Sequence, residues 1–216
     1  MYNLSRQFQM PVCHREITET QTEFLIWKIM ETEEELSQGL ALSPAALERL
    51  AQRKSSVHRK GYLAIRQLLK LLKIPPLMHQ YNSEGVPYLT DGRYISISHT
   101  HDLASVVISS RPVGIDLEHY KEKIRGIAPR FLHPTETEIP QGEAGLVYLT
   151  QIWTAKEALY KAYKKKGLIF NTQLRIDACA PEATTGKGWV IDAEEQSCFT
   201  LYFRPFKDYC LTLAIA

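Results

Sequence analysis

The chain has 216 residues, 44% of them hydrophobic and 23% charged, with a formal net charge of +2. That length holds one large domain or two of roughly 100 residues each, and so mild a charge excludes nucleic acid as the main partner. Met1 to Pro11 carries Arg6 and polar side chains but no apolar signal-like core, and no later apolar run reaches the length of a membrane span. A cytoplasmic protein with no membrane partner is expected. The four cysteines, Cys13, Cys179, Cys198 and Cys210, form no C-x-x-C pair and are expected to be reduced and mostly buried.

In chain order, residues 1–20 are polar and read as an irregular lead-in. Glu23 to Met30 reads as a buried strand, bounded by the acidic run Glu31 to Glu35. Ser43-Pro44 starts a helix, with serine as N-cap and proline at the first helical position. The helical pattern breaks near Ser55-Ser56, continues to about Lys73 and is ended by Pro75-Pro76. Its second half sets Arg59, Arg66, Lys70 and Lys73 along one stripe, with Ile65, Leu68, Leu71 and Leu72 opposite. Such a stripe is either a solvated face or an anion-binding surface.

Tyr81 to Thr90 is turn-rich. Tyr94 to Ser98 and Leu103 to Ser109 read as strands flanking the polar turn His99-Thr100-His101-Asp102. Residues 119–145 are interrupted by Pro129, Pro134, Pro140, Gly142 and Gly145, and a helix follows from about Ala144 to Lys166, stopped by Gly167. Residues 170–216 read as strands and turns. A basic helix followed later by an apolar strand occurs twice, at 57–73 then 103–109 and at 152–166 then 209–215. The expected fold is therefore α/β (α+β), with similar halves at 1–112 and 113–216 and a site at their junction.

The chemistry concentrates in two segments. Val113-Gly114-Ile115-Asp116-Leu117-Glu118 alternates as a strand, so Asp116 and Glu118 share the face opposite Val113, Ile115 and Leu117. Trp153-Thr154-Ala155-Lys156-Glu157-Ala158-Leu159-Tyr160-Lys161 reads as an amphipathic helix in which Glu157 and Lys161 are neighbours one turn apart. Each pair alone is an ordinary solvated pair. Together, three carboxylates and a lysine suit a Mg²⁺ ion held beside phosphate oxygens.

These segments resemble the 4′-phosphopantetheinyl transferases, in particular their larger, two-repeat, surfactin-synthetase-type members. That family carries a G-[IV]-D-[ILV]-E strand and a W-[ST]-x-K-E-[AS]-x-x-K helix, matched by Gly114 to Glu118 and by Trp153 to Lys161. Its upstream G-[KR]-P turn and S-H-[ST] strand end are similar to Gly85-Val86-Pro87 and Ser98-His99-Thr100, and its R-F-[FL]…E segment to Arg130-Phe131-Leu132 with Glu136. The likeness covers roughly residues 45–215 and implies a pseudo-two-fold fold and an enzyme that moves the phosphopantetheine arm of coenzyme A onto a serine of an acyl or peptidyl carrier protein. It implies Asp116, Glu118 and Glu157 as Mg²⁺ ligands, and Glu157 and Lys161 as catalytic residues. For coenzyme A it implies contacts from Lys161, His99 and Lys156, with Arg59 and Arg66 added on the strength of the basic stripe. A monomer is expected, since two repeats in one chain complete one site, with fatty acid biosynthesis among the pathways served.

Val86 stands where the family has a basic turn residue, Ser96 where many members have asparagine, and His101-Asp102 where a small residue is usual. Two alternatives follow. Val86 favours a non-catalytic relative that binds coenzyme A or a carrier protein without transfer. The His99-x-His101 pair suggests a metal-dependent hydrolase, against which the residues after Asp102, Leu103 and Ala104, offer no further ligand.

Overall fold

Two antiparallel sheets packed face to face form the centre of the molecule, and each is covered on its outer face by helices. The computed structural model describes residues 12–178, 183–193 and 195–216. The first sheet takes its strands from β1 (Val12–Ile17), β2 (Glu23–Lys28), β5 (Tyr94–His99) and β6 (Leu103–Ser109), in the order β1-β2-β6-β5. The second takes β7 (Val113–His119), β8 (Leu174–Ile176), β9 (Thr185–Ile191), β10 (Gln196–Pro205) and β11 (Tyr209–Ile215), in the order β7-β11-β10-β9-β8. A two-stranded hairpin, β3 (His79–Tyr81) with β4 (Pro87–Leu89), stands apart from both.

Side-chain alternation assembles these layers. On β2, Phe24 and Ile26 face the second sheet, while Leu25 and Trp27 face the helices. On β7 and β11, Val113, Ile115, Leu117, Leu211, Leu213 and Ile215 fill the space between the sheets. Successive residues of a strand point to opposite faces, so one stretch of chain serves two cores. The helices α1 (Glu33–Ser37), α2 (Pro44–Ala51) and α3 (Ser56–Leu71) lie on the first-sheet side, with Leu63, Ala64, Leu68 and Leu69 of α3 packed on Leu25, Ile95 and Val106. On the other side α5 (Gly142–Tyr163) lies over β7 and the neighbouring strands, flanked by α4 (Lys123–Ile127) and α6 (Phe170–Gln173).

Several expectations are corrected here. Part of the polar lead-in is a strand, β1, whose pairing with β2 accounts for its residues; residues 1–11 lie outside those described. The helix start at Ser43 is as expected, since the Ser43 hydroxyl accepts from the Ala46 N–H at 3.2 Å. The long helix ends earlier than expected: it is capped by left-handed Lys164 (φ 59°), and Gly167, also left-handed at φ 83°, lies in the turn beyond. Cys13 and Cys198 are exposed and Cys210 is buried, all three free, so the thiols are not mostly buried; Cys179 lies outside the described residues. Apart from the β3–β4 hairpin, strands up to Ser109 form one sheet and those from Val113 onward the other. Among the described residues no helix is long and apolar enough to cross a membrane.

Candidate functional site

Asp116 sits on β7 facing α5, and only 5% of it is exposed. The face it shares with Gly114 and Glu118 is therefore not the solvated one that alternation suggested; α5 covers it. Close approach of the helix brings its polar residues over the strand. Lys161 Nζ lies 2.6 Å from Asp116 Oδ1 and also donates to the Ile115 carbonyl at 3.1 Å. Ser98 at the end of β5 donates to the same Oδ1 at 2.9 Å, and the Ser96 hydroxyl accepts from the Ile115 N–H at 3.1 Å. The edge of one sheet is thus stitched to the edge of the other at the acid.

Asp116 Oδ2 is buried and has no hydrogen-bond partner. An ionised oxygen left so costs several kcal/mol unless a cation meets it. Glu157 and Glu118 complete the group electrostatically. Burial, then repulsion from Asp116 and, least, from Glu118, pushes the Glu157 carboxyl up to about 7 against the pull of Lys161. Burial, then Asp116, raises Glu118 as well, against Lys123, Lys121 and Lys161. Two raised glutamates beside an aspartate with an orphaned oxygen fit a divalent cation with oxygen ligands. The ligand atoms that lie within 4.8 Å of one another among the described residues belong, however, to His101, Asp102 and His119, not to these three acids.

His99 is placed beside this group, feeling both Lys161 and Asp116. Its pKa is held down by burial, then by the positive charges of His58, Lys161 and Arg53, although one edge stays open to solvent. Its ring packs on Gly61 of α3, where an added Cβ would come within 2.5 Å of Cδ2. His99 and His101 do not form a metal pair: His99 turns to His58, with ring centroids 6.2 Å apart, and His101 turns to His119, at 5.1 Å.

Other expected residues are placed elsewhere. Lys156 is fully buried, and its ammonium lies 2.7 Å from Glu136 and donates to the carbonyls of Phe131 and Phe170. Helical spacing turned it inward, and it does not reach the Asp116 cluster. Arg59 is held by Glu33 through Nε at 2.7 Å and Nη2 at 3.0 Å. The basic stripe is not one surface. Arg66 is buried over the Tyr62 ring, 3.5 Å from its centroid, while Leu71, expected on the apolar side, is exposed.

Two cavities adjoin these residues. One of about 240 Å³ lies between the turn at Glu84-Gly85-Val86-Pro87, Ser96 on β5, and Tyr160, Lys161 and Lys164 at the end of α5. The turn is shaped by Asn82, whose Oδ1 accepts from the N–H groups of Glu84 and Val86, and by Gly85 at φ 80°. The larger, about 460 Å³, lies between α2, α3 and β3, with Arg49, Arg66, Lys70, Lys73, His79 and Tyr81 among its walls and no carboxylate. Arg66 Nη1 and His79 Nε2 are buried there without partners. Arg53 lies over Tyr62 at 4.1 Å and also influences His99, linking this cavity to the acidic site. Arg49, Arg53 and His79 were not singled out from the sequence, because each lacks a motif and gains its place only through the packing of α2 and β3 on α3.

The second sheet with its covering helix carries an acidic, lysine-flanked centre, and this stretch of sequence is similar to known proteins. Residues 112–214 match the family described as the 4′-phosphopantetheinyl transferase superfamily. The chain is similar to the 4′-phosphopantetheinyl transferase gsp of Aneurinibacillus migulanus, with 33% identity over 49% of this chain and 47% of the relative. It is also similar to a 4′-phosphopantetheinyl transferase of Bacillus subtilis, with 31% identity over 39% of this chain and 38% of the relative. The chain thus spans under half the length of these two relatives in the matched regions.

Proposed function

We propose that this protein transfers the 4′-phosphopantetheine arm of coenzyme A to a serine of an acyl or peptidyl carrier protein, releasing adenosine 3′,5′-bisphosphate. The observation that carries the proposal is the orphaned Oδ2 of buried Asp116, set among Glu118, Glu157 and Lys161 in the part of the chain that matches the superfamily. Asp116, Glu118 and Glu157 are the residues to hold Mg²⁺. When bound, that ion supplies charge neutralisation for the pyrophosphate oxygens.

The chain's own residues do the rest. Glu157, with a carboxyl poised near neutrality, accepts the proton of the carrier serine, directly or through one water. The serine oxygen then bonds to the β-phosphorus, and the bond from that phosphorus to the bridging oxygen breaks. Lys161 turns its ammonium from Asp116 toward the pyrophosphate and stabilises the charge left on the departing bisphosphate. His99, with Arg53 and the Arg66 cavity beyond it, receives the phosphorylated nucleotide end of coenzyme A. Positioning and electrostatics supply most of the rate. The reading also takes the two sheets, 1–112 and 113–216, as two domain-like halves of a cytoplasmic monomer.

Mass spectrometry of an apo carrier protein incubated with the protein, coenzyme A and Mg²⁺, with and without chelator, tests this. A mass gain of one phosphopantetheine arm that vanishes with chelator is expected. Coenzyme A binding without any gain would favour a non-catalytic binder, the alternative to which Val86 lends itself.

A further inference from the structure

His101 and Asp102 lie on the turn between β5 and β6, and His119 ends β7, so residues from both sheets meet at the rim of the core between them. One ligand atom from each lies within 4.8 Å of the other two. His119 Nε2 is 2.7 Å from Asp102 Oδ1, and His101 Nδ1 is 3.3 Å from the same oxygen. The other ring nitrogen of His119, Nδ1, faces the Asp208 carbonyl at 3.1 Å. A carbonyl only accepts, so Nδ1 donates to it, and Nε2 faces a carboxylate oxygen with room for a proton or a metal cation between them. A backbone carbonyl that fixes the ring through one nitrogen is also the usual orienting contact of a metal-bound histidine. The carboxylate's remaining contacts are Lys28, which pairs with Oδ2, and Thr100, whose hydroxyl donates to Oδ1 at 3.3 Å. Lys28 therefore leaves Oδ1 facing the two imidazoles.

We infer that His101, Asp102 and His119 form a site for a first-row transition cation, zinc foremost, that staples the two sheets at the rim of their shared core. Two imidazoles and one carboxylate are the ligand set such ions prefer over Mg²⁺, and exposed His101 leaves the remaining coordination position to water. The site is separate from the Asp116 cluster. Alternation along β7 sends His119 to the face opposite Asp116 and Glu118.

Tag-free protein, stripped with chelator and dialysed into excess Mg²⁺ to occupy the Asp116 cluster, is titrated with Zn²⁺ by calorimetry and with Co²⁺ by visible absorption, without coenzyme A. Expected is uptake of one equivalent that is abolished by His119→Gln and sharply weakened by His101→Ala, but kept by Asp116→Asn. His101 is exposed, so its substitution leaves the fold intact, as circular dichroism verifies; a thermal midpoint raised by Zn²⁺ in the parent and not in either histidine variant completes the expected result. No uptake would overturn the inference and leave a proton as the bridge between His119 and Asp102. Uptake unchanged in both histidine variants, or lost with Asp116→Asn, would overturn it equally.

Discussion

Gly114 lies directly beneath the Ala158 carbonyl of α5: a Cβ built on Gly114 would stand 1.8 Å from that oxygen and 2.8 Å from the Ala162 nitrogen. The absent side chain lets the helix descend onto β7. That descent sets Glu157 and Lys161 beside Asp116, two residues along the same strand face.

Gly114→Ala is therefore expected to lift α5 rather than merely crowd it, because the obstructing atoms are backbone. A stability loss of about 1–3 kcal/mol or more is expected from such overpacking. The Lys161–Asp116 contact would be lengthened with it. Urea unfolding reads the first effect, and coenzyme A affinity at low temperature reads the second. A variant as stable as the parent, with unchanged affinity, would show that the close approach is not needed.

Glu136 and Lys156 are expected to matter for stability and not for phosphate binding. Glu136 also accepts from the N–H groups of His133 and Ile176, each at 2.8 Å, so the pair pins the loop before α5 and β8 to the helix. Lys156→Met leaves a charged carboxylate in the core, for a loss of about 3–5 kcal/mol. Coenzyme A affinity of the folded variant should be unchanged. A normal unfolding midpoint with much weaker binding would return Lys156 to the phosphate site.

The local patterns that were legible in the sequence are those fixed by short-range rules. Ser43-Pro44 announced α2, and alternation over residues 113–118 announced which side chains share a face. What covers that face was not legible, because the position of α5 over β7 depends on Gly114, whose role is visible only once the two elements meet. Lys156 and Arg66 misled for a related reason. Each is expected from the sequence as a coenzyme A contact, yet Glu136 arrives from a loop twenty residues away in sequence, and Tyr62 lies one turn back along α3. The cluster of His101 and Asp102 with His119 likewise needs the two sheets in register at their rim.

Acid stability should depend on His79. Its side chain is buried in the cavity beside Arg66, and burial, then the charges of Arg66 and Arg49, pushes its pKa down to about 3 from 6.5. The folded state thus keeps the ring neutral while the unfolded chain protonates it near the ordinary value. With a lowered folded pKa, its contribution is present above pH 6.5 and is lost as pH falls toward 3. The unfolding midpoint of the parent should drop through that range. His79→Gln should show a shallower drop, and an identical slope would remove His79 as the source.

Gly61→Ala offers a separation of binding from chemistry. The added Cβ would meet the His99 ring edge at 2.5 Å, and this contact is with a side chain that can swing away. The fold should therefore survive while His99 leaves its place beside Arg53 and Lys161. If His99 receives the nucleotide end of coenzyme A, its displacement should raise KM for coenzyme A about tenfold, equivalent to about 1.4 kcal/mol, and leave kcat near the parent value. The acid cluster that handles the serine proton is untouched by this change. A fall in kcat at constant KM would instead place His99 among the groups that act on the transferring phosphate.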